Sequence, residues 1–210
     1  PVILPSETDL YALTDSELSL GRSVEEVAEA LLGAGIRILQ YREKNLKDGA
    51  KLEECRILRR VTEKYHACFM VDDHVDLAMI CHADGVHVGQ DDLSAAEARR
   101  LLGPDKIIGV SAHNVAEAKK AFADGADYLG CGAMFTTHTK TDTNVISRQV
   151  LADVCASVPI PVVAIGGIHR ENLLQLAGCG EAGIAVISAI FAQPDIEAAC
   201  RELREMVRKL

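Results

Sequence analysis

The chain has 210 residues, nearly half of them apolar, with 22 basic and 31 acidic side chains and a net charge of −9. That balance argues against a nucleic-acid surface but leaves room for a local basic pocket, and no apolar run approaches the ~20 residues of a membrane span. Residues 1–8 lack the basic start and apolar core of a secretion signal, and the seven cysteines show no C-x-x-C spacing. Both features set the expectation of a cytoplasmic protein with reduced, mostly buried thiols.

Taken in order, residues 10–13 read as a first strand, closed by Thr14 and Asp15. Ser23 and Glu26 form a capping box for a helix whose buried stripe is Val24, Val27, Ala28, Leu31 and Leu32. A second strand, 36–41, runs into Arg42, Glu43 and Lys44, and a helix follows over 48–64. Two short apolar runs, 68–71 and 85–88, are strands three and four, with one short helix between them. Ser94 with Glu97, and Asn114 with Glu117, repeat the capping pattern before helices that flank a fifth strand at 107–110. Strand six is 128–131. A long irregular stretch, 132–145, precedes a helix over 147–157 that Pro159 and Pro161 stop. Strand seven is 162–165, followed by Gly166 and Gly167 and a short helix over 170–177. Strand eight is 183–187, and Asp195 caps the last helix.

A turn of Gly, Ala and Asp residues recurs before strands at 33–35, 83–85, 125–127 and 180–182. Near-continuous apolar strands alternating with amphipathic helices mean a parallel sheet covered by helices. Eight such units close into an α/β fold, a (β/α)8 or TIM barrel, as a single domain over residues 1–210 with its site at the carboxyl ends of the strands. A doubly wound open sheet would want a glycine-rich first turn, which is missing.

Those strand ends carry the polar chemistry. Asp72 and Asp73 follow strand three and Asp91 and Asp92 follow strand four. The acids read either as a solvated rim or as a site for Mg2+, a hard cation that takes carboxylate oxygen and is usually shared with phosphate. Arg42, Lys44 and Lys140 add cations, so that the group resembles a metal–diphosphate clamp. Gly166 and Gly167, with Ile187 and Ser188, fit the phosphate-binding end that barrels often build after strands seven and eight, although turn geometry alone also explains a Gly-Gly pair. Ser111 has no obvious triad and reads as a hydrogen-bond donor. His87 lies inside a strand and reads as a packed, hydrogen-bonded core histidine; the role of His113 is open. The 132–145 stretch, with Lys140 in it, reads as a lid over a diphosphate.

Several segments together resemble the thiamine-phosphate synthase family: Gln40-Tyr41-Arg42-Glu43-Lys44, VDDHVDLAMICHADGVHVGQDDL from Val71, Gly109 to His113, Thr137 to Thr143, and Ala164 to Ile168. The resemblance implies a transferase that joins hydroxymethylpyrimidine diphosphate to a thiazole phosphate, or its carboxylated form. Thiamine phosphate and pyrophosphate would be the products, with CO2 from the carboxylated substrate. By position it implies that Gln40, Tyr41, Arg42, Glu43, Lys44, Asp72, Ser111 and Lys140 hold the pyrimidine diphosphate. It implies that Thr137, His138, Thr139, Gly167, Ile187 and Ser188 hold the thiazole phosphate, and that Asp73 and Asp92 bind Mg2+ as the cofactor. Three positions depart from the pattern: Tyr41 where Leu is usual, Thr136 where Pro is common, and Asp72 in place of an Asn. The expected partners are small phosphorylated molecules, without nucleic acid or membrane, in a monomer or homo-oligomer. A thiazole tautomerase-like enzyme and a non-catalytic ligand-binding barrel are the alternatives.

Overall fold

The computed structural model describes residue 6 and residues 9–137 and 144–210. Eight parallel strands pair in chain order and close on themselves. They are β1 (Leu10–Leu13), β2 (Ile38–Tyr41), β3 (Cys68–Asp72), β4 (Gly85–Val88), β5 (Ile107–Ala112), β6 (Tyr128–Cys131), β7 (Val162–Ile165) and β8 (Gly183–Val186). Closure is made by β8 against β1, with Leu10 opposite Ile184 and Ala12 opposite Val186. The helices are α1 (Val24–Gly33), α2 (Asp48–Lys64), α3 (Val75–Ile80), α4 (Ala95–Leu102), α5 (Val115–Ala123), α6 (Arg148–Ser157), α7 (Ser188–Phe191) and α8 (Ile196–Val207). Among the described residues, no helix is long and apolar enough to cross a membrane.

Strand alternation splits the interior into two layers. Outward residues such as Leu39, Phe69, Ile108 and Leu129 pack under the helices and are fully buried. Each such side chain contributes roughly 1.5–3 kcal/mol. Inward residues, among them Tyr11, Ile38, Met70, Ile107, Tyr128 and Val163, fill the barrel centre. Six of the seven cysteines are buried and all are free thiols, as expected.

At two of its four occurrences the recurring turn before the strands has a common structural basis. Asp84 accepts from the Phe69 amide at 2.8 Å and from Arg59 at 3.1 Å. Asp127 repeats this with the Ile108 amide at 2.8 Å and Arg99 at 2.5 Å. Each aspartate ties the start of its own strand to the preceding strand and to a helix, at the end of the barrel opposite the site.

The capping boxes divide. Ser23 and Glu26 make both reciprocal bonds. Ser94 and Asn114 each accept from the expected amide, but the return bond is replaced: Glu97 pairs with Arg100, and Glu117 takes the His113 amide and Nδ1. The expected strand 36–41 starts two residues later, because the Ile36 amide still closes α1 on the Leu31 carbonyl. The expected helix over 170–177 is only a 3-10 turn, Leu173–Leu176. Asn172 competes there for backbone partners, accepting from His169 N–H and donating to the Gly167 carbonyl. Residue 187 ends β8 early and turns the chain into α7, a helix not expected from the sequence.

Candidate active site

The carboxyl ends of the strands surround a cavity of about 330 Å3. Each strand delivers its side chains by the same inward–outward alternation. On β2, Gln40 faces in and is buried, and the chain then brings Arg42 and Lys44 to the rim. Thr14, just after β1, receives the Arg42 amide on its hydroxyl at 3.0 Å. Asp15 grips the Arg42 guanidinium at 3.1 Å, with both side chains nearly buried. The ends of β1 and β2 therefore fix one cation in place.

Lys44 is held differently. Its ammonium, 44% exposed, bridges Asp72 at 2.9 Å and Asp73 at a shorter distance. Desolvation alone would lower the Lys44 pKa, but the two carboxylates outweigh it and hold it above the ordinary value. Asp73 has the left-handed backbone angle φ 61°. That conformation is uncommon for a residue with a side chain, and it turns the chain at the end of β3. Asp92 accepts from the Gly89 amide at 2.8 Å and lies within hydrogen-bonding reach of Asp73.

These three acids divide the charge unequally. Burial, and then the neighbouring Asp73 charge, push Asp72 up to about 6 against the pull of Lys44. Burial opposes ionisation of Asp73 as well, but Lys44 wins and its pKa falls. Asp92 is raised, by burial first and by Asp73 next. A pair of carboxylates close enough to share a proton, one of them leaning on an ammonium, is an electrostatic arrangement that a cation relieves. Two carboxylates are a suitable protein share for Mg2+, whose remaining positions go to water and phosphate oxygens.

Ser111 comes from β5, and Thr137 from the chain after β6. Gly166 and Gly167 follow β7, and Ile187 and Ser188 open α7; all line the same cavity. The glycines are required by geometry. Both have positive φ, 101° and 62°, and a Cβ on either would overlap residues 133–136. The Phe135 amide donates to the Gly166 carbonyl at 3.0 Å and the Met134 amide to the Ile165 carbonyl at 3.0 Å. Gly166 and Gly167 thus let residues 132–137 lie directly against the end of β7.

The sequence-based site is therefore gathered in large part. Gln40, Arg42, Lys44, Asp72, Asp73, Asp92, Ser111, Thr137, Gly167, Ile187 and Ser188 share one cavity. His138, Thr139 and Lys140 lie outside the described residues. Tyr41 and Glu43 need correction, since neither lines the cavity. Tyr41 alternates with Gln40 on β2 and so faces the helices, where its hydroxyl donates to Glu54 at 2.5 Å. Glu43 alternates between Arg42 and Lys44 and turns back onto the Asn45 amide at 3.0 Å. His87 is hydrogen-bonded on both ring nitrogens, as expected of a packed histidine, but it also lines the cavity. Tyr11 and Tyr128, which the sequence reading passed over, line the cavity as well.

Comparison with known proteins shows the family of the chain. Residues 10–190 match the family model for thiamine monophosphate synthase. The chain is 46% identical to a thiamine-phosphate synthase of Lawsonia intracellularis over 98% of this chain and 96% of that protein. It is 47% identical to a thiamine-phosphate synthase of Chloroflexus aurantiacus, over 94% of this chain and 92% of the relative. Among solved structures, the thiamine phosphate pyrophosphorylase from Pyrococcus furiosus superposes with a TM-score of 0.88 at 41% identity, covering 98% of both chains. The chain belongs to the thiamine monophosphate synthase family, the transferases of thiamine biosynthesis that form thiamine phosphate.

Proposed function

We propose that the cavity joins 4-amino-5-hydroxymethyl-2-methylpyrimidine diphosphate to a thiazole phosphate, or to its carboxylated form, with release of pyrophosphate. The observation that carries this reading is the pairing of Arg42, Lys44, Asp73 and Asp92 with Gly167 and Ser188 in one cavity. A polyanion clamp and a second anion-binding end suit two phosphorylated substrates.

Asp73 and Asp92 are the residues that would hold Mg2+, and the ion, when bound, supplies charge neutralisation for the diphosphate. Arg42 is already oriented by Asp15 and Thr14 to meet a phosphate oxygen. Lys44 lies on Asp72 and Asp73 and has only to swing from carboxylate to phosphate oxygen. The bond that breaks joins the pyrimidine methylene carbon to the diphosphate oxygen, and its electron pair leaves with pyrophosphate. The thiazole nitrogen donates the pair that forms the new C–N bond. Cations fixed at the leaving group stabilise the charge that develops as C–O breaks, with no protein nucleophile. With the carboxylated thiazole, the same coupling is accompanied by loss of CO2. A thiazole tautomerase would have no use for a diphosphate clamp.

The test follows product formation with Mg2+ and in excess EDTA. Thiamine phosphate is expected only with Mg2+ present, and equal formation in EDTA would overturn the metal assignment.

A further inference from the structure

At the floor of the cavity, five side chains form an unbroken polar chain across the barrel. Gln40 Nε2 donates to the Tyr11 hydroxyl at 2.8 Å. The Tyr11 and Tyr128 hydroxyls meet at 2.7 Å. The Tyr128 hydroxyl meets His87 Nδ1 at 2.8 Å, and His87 Nε2 meets Ser111 Oγ at 2.9 Å. The members come from β2, β1, β6, β4 and β5, so the chain crosses the barrel from one side to the other.

Requiring every buried hydroxyl proton to be hydrogen-bonded gives each bond a direction. An amide NH2 only donates, so the Tyr11 oxygen accepts from Gln40. Either phenol can donate in the Tyr11–Tyr128 bond; the arrangement that leaves no buried phenol proton unbonded sends the Tyr11 proton to Tyr128 and the Tyr128 proton to His87 Nδ1. Because Nδ1 accepts, the imidazole carries its proton on Nε2 and donates it to Ser111 Oγ. The Ser111 proton is left to be offered to a group in the cavity. At the other end Gln40 Oε1 is buried and has no hydrogen-bond partner among the described residues. The cavity floor therefore presents an acceptor at Gln40 and a donor at Ser111.

Two glycines make room for this chain. A Cβ at Gly109 would overlap the Tyr128 ring, and one at Gly130 would lie 3.0 Å from His87 Cε1. Neither has positive φ, so turn geometry does not explain them, and glycine inside a strand weakens it. Burial raises the pKa of both Tyr11 and Tyr128, which keeps each phenol protonated and able to donate as well as accept.

We propose that Tyr11, Tyr128 and His87 are positioning residues that set the hydrogen-bond polarity of the site, holding Ser111 as donor while Gln40 Oε1 remains the acceptor. That pair matches a heteroaromatic ring carrying an amine N–H and a ring-nitrogen lone pair, and this match rests on the aminopyrimidine reading above. The two ends are linked. Turning over the Gln40 amide reverses every bond in the chain and makes Ser111 an acceptor. A ring with the opposite pattern, an oxo group beside a ring N–H, requires the whole chain to invert.

Tyr128→Phe tests this, because it removes the one hydroxyl that both accepts and donates at the centre while keeping the ring. The first readout is the histidine-ring 15N–1H spectrum of the ligand-free protein, with His87→Gln used for assignment. Wild type is expected to carry the His87 proton on Nε2, and Tyr128→Phe to show a mixture of tautomers. A wild-type proton on Nδ1, or on both nitrogens, overturns the proposal. This spectrum needs no substrate, so it decides the proposal even if wild type fails to use the aminopyrimidine diphosphate. The second readout is kcat/KM for the aminopyrimidine diphosphate against its oxo analogue. Wild type is expected to prefer the amino ring, and Tyr128→Phe to narrow that preference by about 10-fold, the order expected for one polar contact. An equal loss on both rings, with the preference kept, also overturns it.

Discussion

Replacing Asp72 by Asn should stabilise the metal-free protein at neutral pH and leave it active. Asp72 is buried beside Asp73, and its pKa rises from 3.8 to about 6. A raised carboxyl pKa means that the folded state binds the proton more tightly than the unfolded chain. Stability is then lost as pH rises from near 3.8 through about 6, and the loss is complete above that window. At about 1.36 kcal/mol per pH unit, the ionised group costs roughly 3 kcal/mol. Its coupling to Asp73 and Lys44 makes about 1–3 kcal/mol the expected gain in Asp72→Asn. For a chain of this size each kcal/mol moves Tm by about 2–4 °C. The assay is thermal unfolding in EDTA, for wild type and variant, at pH 8 and pH 4. The expected result is a higher variant Tm at pH 8 and a difference that shrinks toward pH 4. Asp72→Asn should also keep the rate and tighten the pyrimidine diphosphate, since one negative charge leaves the neighbourhood of a polyanion. A lower Tm at pH 8 would refute the electrostatic reasoning, and a loss of activity as large as that of Asp73→Asn would make Asp72 an essential ligand.

Three further outcomes are expected. Lys140→Ala should lower the rate by about 10²–10³, the size of one lost transition-state contact, with Tm nearly unchanged; a sharp fall in Tm with intact activity would show a structural role. Gly167→Ala should lose at least 1–3 kcal/mol in denaturant unfolding, because its φ is 62° and the new Cβ would meet the carbonyls of Phe135 and Thr136; an unchanged midpoint would contradict that packing. Burial raises the Glu181 pKa, and neither of its carboxylate oxygens has a hydrogen-bond partner among the described residues. Its contribution therefore falls as pH rises above the usual carboxylate value, so Glu181→Gln should raise Tm at pH 7 but not at pH 4; a variant Tm at pH 7 no higher than that of wild type would refute this.

The barrel was legible because its strands and helices differ in period and because Gly and Pro punctuate most of the junctions. The repeated turn was also visible, and at two of its four occurrences Asp84 and Asp127 explain it through the same pair of bonds to a strand amide and an arginine. Strand phase was not legible. In a four-residue strand with every side chain buried, such as 38–41 or 128–131, apolar character does not tell inside from outside. That hides the inward Tyr11 and Tyr128, whereas Tyr41 enters the expected site only through the resemblance of residues 40–44 to the family pattern. The available signal lay in the glycines. Gly109 and Gly130, inside otherwise apolar strands, mark where inward rings need space: Tyr128 on the adjacent strand and His87 two strands away. The end of β8 was misread for a local reason: residues 183–187 are apolar or small throughout, so nothing announces that Ile187 leaves the sheet and starts α7.

The central claim is that one cavity holds both phosphorylated substrates and transfers the pyrimidine between them. It is tested most directly by single-turnover release of pyrophosphate from the pyrimidine diphosphate, with and without the thiazole phosphate, in Mg2+. Pyrophosphate and thiamine phosphate are expected in equal amounts and only with both substrates present, while release without the thiazole phosphate, or none with both, would contradict the claim.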